Sequence, residues 1–96
     1  ALAMERLFGP SLSDIPAFSI KAAIGTPLGA APAIQLAASA LAQRTGIIPP
    51  TAGWRYSDPD CLLRLSAKAV GYNHTLTLVN SHGMGSVNGG MILRRC

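Results

Sequence analysis

Between Leu28 and Arg44 the chain is almost continuously alanine, leucine and isoleucine, with polar residues nearly confined to Gln35, Ser39 and Gln43. Recurrence every four residues draws one narrow polar stripe along a helix. A helix that is apolar on nearly every other side must be buried on nearly every side. The pattern therefore predicts a helix over 28–44 sandwiched between neighbouring layers, its alanines letting those layers approach closely. Pro32 fits only if the helix starts near Gly29 or Ala31, because deeper inside it would remove a hydrogen bond and clash, at about 3 kcal/mol. Arg44-Thr45-Gly46 supplies a cationic last turn and a glycine cap.

Ahead of this helix, Leu2, Met4, Leu7 and Phe8 stand among strong helix formers, and Gly9-Pro10 stops them. Residues 11–16 read as a polar loop, Ala17-Phe18-Ser19-Ile20 as a short strand ending at Lys21, and Gly25-Thr26-Pro27 as the turn into the long helix. After it, Ile47 to Thr51 is extended, and residues 52–65 are irregular with turn chemistry at Ser57-Asp58-Pro59-Asp60. Thr75 to Asn80 alternates with β-branched residues, Ser81 to Ser86 turns on Gly83 and Gly85, and Val87 to Leu93 forms a second run. Two such runs around a glycine turn predict an antiparallel hairpin.

Composition changes this picture in one respect. Of the 96 residues, 12% are charged and 49% hydrophobic, whereas an ordinary soluble domain carries about 25% charged residues. So few charges cannot coat a free domain of this size, so protein outside this sequence is expected to cover much of it. The net charge is +4, but the basic residues are scattered and aromatics are few, which argues against nucleic-acid binding and is compatible with an acidic protein partner. Cys61 and Cys96 have neither CxxC spacing nor a His companion, so no metal site and no disulfide framework is indicated. The longest apolar run would span only about 22 Å as a helix against the ~30 Å of a bilayer core. With no basic segment followed by an apolar core at the start, no signal peptide is expected, and the location expected is cytoplasmic.

Ser19-Ile-Lys-Ala-Ala-Ile-Gly-Thr-Pro-Leu-Gly-Ala-Ala31 resembles the second active-site motif of the β-ketoacyl synthases, Ser-x-Lys, three residues, Gly-His, two or three residues, Gly-Ala-Ala. Ser19, Lys21, Gly25, Gly29, Ala30 and Ala31 match, and Thr26 stands in place of the histidine. Ile48-Pro49-Pro50-Thr51 resembles the family's connection after the helix. Asn80, Ser81, Gly83, Gly85 and Asn88 match its terminal Asn-Ser-aromatic-Gly-Phe-Gly-Gly-x-Asn segment, with Met84 replacing the phenylalanine and Ser86 a glycine.

The resemblance implies an α/β chain, the C-terminal part of a layered αβαβα thiolase-like fold, with residues 1–96 a C-terminal fragment of a synthase domain. It implies decarboxylative Claisen condensation of acyl and malonyl thioesters in fatty-acid or polyketide biosynthesis. No cofactor is implied beyond the phosphopantetheine of an acyl carrier protein that carries the substrates. The implied partners are that carrier protein, the remainder of the synthase chain, and a second subunit in a homodimer or synthase heterodimer.

Among the site residues, Lys21 corresponds to the family's active-site lysine and Thr26 to its second histidine. Met84 corresponds to the gating residue at the mouth of the acyl pocket, between Gly83 and Gly85. The nucleophilic cysteine and the first histidine lie upstream in the family, in a segment without a counterpart here, so these residues alone are not expected to condense anything. A threonine hydroxyl donates a hydrogen bond but carries no positive charge near neutral pH. Thr26 therefore leaves two readings open, a specialised synthase or a non-catalytic partner like the chain-length factors of polyketide systems. It can equally serve as N-cap of the long helix, with Pro27 following at the first helical position. His82 is expected to be structural or to line the site, and His74 to lie on the surface.

Overall fold

The computed structural model describes all residues from Ala1 to Cys96. Helix α1 (Leu2–Phe8) ends at Gly9, which adopts φ 58° and donates its N–H to the Glu5 carbonyl. The expected loop after it is instead a 3₁₀ segment, Gly9–Asp14, that buries Leu12. One helical turn, α2 (Lys21–Ile24), and a 3₁₀ turn, Leu28–Ala30, lead into α3 (Ala31–Thr45). Strands β1 (Ile47–Ile48) and β2 (Val70–Gly71) form a short antiparallel pair, and β3 (Leu76–His82) and β4 (Asn88–Arg94) form the expected antiparallel hairpin. The chain is thus a small α/β unit of helices and two antiparallel strand pairs. No helix is long and apolar enough to cross a membrane.

Pro32 fixes where α3 can begin: it occupies the first turn, where its missing N–H costs nothing, and the helix starts at Ala31. At the other end Gly46 caps it in the left-handed conformation, φ 66°, donating to the Ala42 carbonyl. The left-handed φ favours glycine here, and a Cβ at Gly46 would also displace the Asn73 side-chain amide.

The helix packs on the hairpin with its polar stripe inward. Ser39 and Gln43 are buried, and so are Ala31 and Ala42, while the apolar flanks Ile34 and Leu41 are 38% and 52% exposed. The all-round burial expected from the sequence is not realised within this chain, because the hairpin is the only sheet that α3 meets over more than a few residues. Gln43 explains why a polar residue faces the sheet. Its Nε2 donates to Thr77 Oγ1 at 2.8 Å and lies 3.1 Å and 3.4 Å from the carbonyls of Leu93 and Thr75, while its own carbonyl accepts from Arg95 Nη1 at 2.8 Å. One amide thereby clasps both strands at the open end of the hairpin. Gln35, eight residues earlier on the same stripe, has a buried Oε1 without a partner. Removing Gln43 would take away its bonds to both strands, while the Thr75 carbonyl keeps the Arg95 N–H as a donor. In the intact protein, Gln43→Ala is expected to weaken the α3–hairpin attachment by about 1–3 kcal/mol, measured as faster hydrogen exchange over 75–79 and 91–95.

Candidate functional site

The polar end of the molecule is built from the segment between Pro16 and Thr26. Sequence reasoning expects a strand over Ala17–Ile20, but the structure forms only an isolated parallel bridge, Pro16 with Arg64, in which the Ala17 N–H donates to the Arg64 carbonyl at 2.9 Å. Its neighbour is the irregular 52–66 segment, which offers no continuous ladder. Lys21 accordingly opens a helical turn instead of ending a strand, and Lys-Ala-Ala-Ile is a run that favours helix.

Thr51 holds this segment in place. Its hydroxyl accepts the Ser19 N–H at 3.1 Å, its own N–H donates to the Ser66 carbonyl at 2.8 Å, and the Ser19 hydroxyl in turn faces the Lys21 N–H at 3.4 Å. The Pro-Pro-Thr connection therefore anchors the Ser-x-Lys motif 32 residues earlier in the chain. Sequence reasoning identified the connection but not this anchoring; the only sign was a hydroxyl immediately after two prolines.

The single turn of α2 brings Lys21 and Thr26 close. The Gly25 N–H donates to the Lys21 carbonyl at 2.8 Å, and Gly25 takes φ 77°, which re-aims the chain at Thr26. Leu28 follows with φ 48°, a left-handed conformation uncommon for a residue with a branched side chain, and it is 74% exposed. Such outliers concentrate at ligand sites, where the surrounding structure holds them. Thr26 does not cap α3. Pro27 precedes the 3₁₀ turn, Ala30 precedes α3, and no side-chain hydrogen bond caps either, because Pro32 places the helix start five residues beyond Thr26. Lys21 and Thr26 are both exposed.

The other half of the site is the hairpin turn. At the start of α3, Pro32 and Leu36 form a cleft with Val79, Ser81, Gly89, Gly90 and Met91, whereas Gln43 lies over Thr75, Thr77 and Leu93. The helix therefore runs from the turn end of the hairpin to its open end, and its start, which follows Thr26 by five residues, lies at the turn end. Gly85 takes φ 78° as its position in the turn requires, and a Cβ on Gly83 would crowd the Val87 carbonyl at 3.4 Å. Met84 is 92% exposed and is not among the residues of that cleft, so this chain by itself does not enclose the expected apolar pocket.

The remaining candidates are placed as follows. His74 is half-buried, not at the surface, with its ring nitrogens 2.9 Å from the Tyr72 carbonyl and 3.1 Å from Thr77 Oγ1. His82 is exposed and bonded to asparagines of the hairpin. Cys61 is half-buried in the irregular segment and Cys96 is exposed beyond β4. Neither stands at the start of a helix, where the dipole would favour a thiolate. No group of three His, Cys, Asp or Glu residues is placed to hold a metal ion.

A family model described as "Beta-ketoacyl synthase, C-terminal domain" matches residues 1–55, more than half the chain and the whole of the Ser19, Lys21, Thr26 and Thr51 assembly. This chain belongs to the β-ketoacyl synthase family. It is 48% identical over 59 residues to the tetracenomycin polyketide synthase ketoacyl synthase alpha subunit of Streptomyces glaucescens, a match over 62% of this chain and 14% of that protein. It is 40% identical over 94 residues to the 3-oxoacyl-acyl-carrier-protein synthase 2 of Rhizobium meliloti, covering 97% of this chain and 22% of that protein. Nodulation protein E of Rhizobium leguminosarum bv. trifolii is 31% identical over 93 residues, 97% of this chain and 23% of its own length. This synthase chain therefore spans less than a quarter of each of these relatives.

Proposed function

We propose that this chain is the C-terminal portion of a β-ketoacyl synthase of layered αβαβα thiolase-like fold that condenses an acyl thioester with a malonyl thioester in fatty-acid or polyketide assembly. The observation that carries the reading is the turn from Lys21 to Thr26 that follows the Thr51-anchored Ser19, inside the family-matched segment. The names of relatives from both polyketide and fatty-acid systems support both substrate settings.

In this reading the malonyl carboxylate leaves as carbon dioxide, and the electron pair left at the adjacent carbon is held as an enolate by hydrogen bonds to the thioester oxygen. The Thr26 hydroxyl supplies one of them. Lys21 orders the polar groups around it, and the Met84 loop, freed to turn by Gly83 and Gly85, gates the acyl chain. The enolate then attacks the acyl carbonyl and expels a cysteine thiolate contributed by the remainder of the synthase chain. Substrates arrive on the phosphopantetheine of an acyl carrier protein in the cytoplasm, and a second subunit, identical or not, completes the enzyme.

A second reading is favoured by Thr26 itself, because a neutral hydroxyl in place of an imidazole suits a non-catalytic subunit that shapes a partner's pocket. Incubating the purified full synthase chain with acyl- and malonyl-carrier protein separates the two. The first reading expects a β-ketoacyl product. Absence of product, together with a residue other than cysteine at the nucleophile position, assigns the chain to the second.

A further inference from the structure

The rungs of an antiparallel ladder alternate between pairs that exchange backbone hydrogen bonds and pairs that do not, and in the latter the facing side chains come closest. The Gly83 N–H donates to the Val87 carbonyl at 2.7 Å, so the preceding rung, His82 with Asn88, is of the second kind. His82 Nδ1 lies 2.8 Å from Asn88 Oδ1, Asn80 Nδ2 lies 3.2 Å from His82 Nε2, and Asn88 Nδ2 donates to the Ser86 carbonyl at 3.2 Å.

These three contacts fix the ring. With its NH₂ engaged on the Ser86 carbonyl, Asn88 presents only its oxygen to His82, which requires an N–H at Nδ1. The neutral imidazole then offers Nε2 as an acceptor, and the Asn80 amide supplies the donor. Every group in this chain of bonds donates in one direction, from Asn80 through His82 and Asn88 to Ser86. It ends on the residue of the loop that most needs holding. Ser86 takes φ 63° directly after Gly85 at φ 78°, and unlike glycine it has a Cβ that disfavours this conformation.

We propose that His82 is a positioning residue, whose neutral Nδ1–H imidazole links Asn80 to Asn88 and so holds the left-handed Gly85–Ser86 turn that carries Met84. Its importance for turnover rests on the reading of Met84 as the gate of the acyl site.

The test uses the full synthase chain with wild-type His82, His82→Phe and His82→Asn, the last retaining an N–H donor near the Nδ1 position. Removing about one to two net hydrogen bonds should speed exchange of the Gly83 amide roughly tenfold in His82→Phe. The Val79 amide, in a hydrogen-bonded rung nearer the open end, should be unchanged, and His82→Asn should restore most of the protection. Nitrogen-15 spectra of the wild-type ring should show the Nδ1–H tautomer. Unchanged Gly83 exchange in His82→Phe, equal acceleration at Val79, failure of His82→Asn to restore protection, or an Nε2–H ring would each overturn the proposal. Exchange and tautomer are read without turnover, so they stand whether or not the chain proves to be a condensing enzyme.

Discussion

Residues 1–96 expressed by themselves are expected to show no cooperative thermal transition, to bind hydrophobic dyes and to aggregate. The reason is surface. The chain exposes 6808 Å², whereas a native monomer of 9.9 kDa exposes about 5,200 Å² by the usual scaling with mass, an excess of roughly 1,600 Å². Only six residues are buried, two of them polar, and no large side chain is completely enclosed. Part of the exposed apolar surface lies on two faces. One is the outer side of α3, with Ile34 and Leu41. The other is the side of the hairpin turned away from α3, where Leu76 and Ile92 are 59% and 69% exposed. Helices and hairpins of this size depend on packing for their stability, and here both lack a covering layer. Circular dichroism on heating checks the expectation: a broad, sloping change agrees with it, and a sharp transition from a soluble monomer contradicts it.

What could be read in advance follows a physical division. Elements with strong local determinants were legible. Gly9 and Gly46 end their helices in positive φ as expected, and the alternation over 75–80 with a glycine turn gives the hairpin. Pro32 forced the start of α3 toward Ala31. Elements decided by distant partners were not. Ala17–Ile20 has the composition of a strand but meets only the irregular chain around Arg64, so it stays extended without a ladder. Lys21–Ile24 follows its helix-favouring local sequence, which displaces the expected strand end but leaves the turn at Gly25, where it was expected. The polar stripe on α3 was visible as a pattern, yet its direction depended on backbone carbonyls of Thr75 and Leu93 more than 30 residues away.

The candidate site divides in the same way. Lys21, Thr26, Gly83, Met84 and Gly85 were named from motif positions, whereas the direction of α3 across the hairpin, which sets its start at the turn end, emerges only from the fold. The bonds by which other groups hold them were not legible. Thr51, which anchors Ser19, and His82, which ties the turn to Asn80 and Asn88, act through hydrogen bonds that join separate segments or facing strands. Nothing in a linear pattern distinguishes such a hydroxyl or ring from an ordinary surface residue.

The chemical role assigned to position 26 has the largest expected consequence. A neutral hydroxyl can stabilise a developing enolate with one ordinary hydrogen bond, whereas an imidazole can do so with a charge-assisted one about twice as strong. Acid–base or charge-assisted help of this kind is typically worth about 10²–10⁴ in rate. The direct measurement is release of carbon dioxide from malonyl-carrier protein by the full synthase chain with its nucleophilic cysteine in place, for wild type, Thr26→Ala and Thr26→His. If Thr26 faces the substrate, Thr26→His should raise the rate by about 10² or more, while Thr26→Ala lowers it by less than about tenfold. A Thr26→His rate equal to that of the wild type would mean that position 26 does not reach the malonyl thioester, and the site proposed for this chain would be wrong.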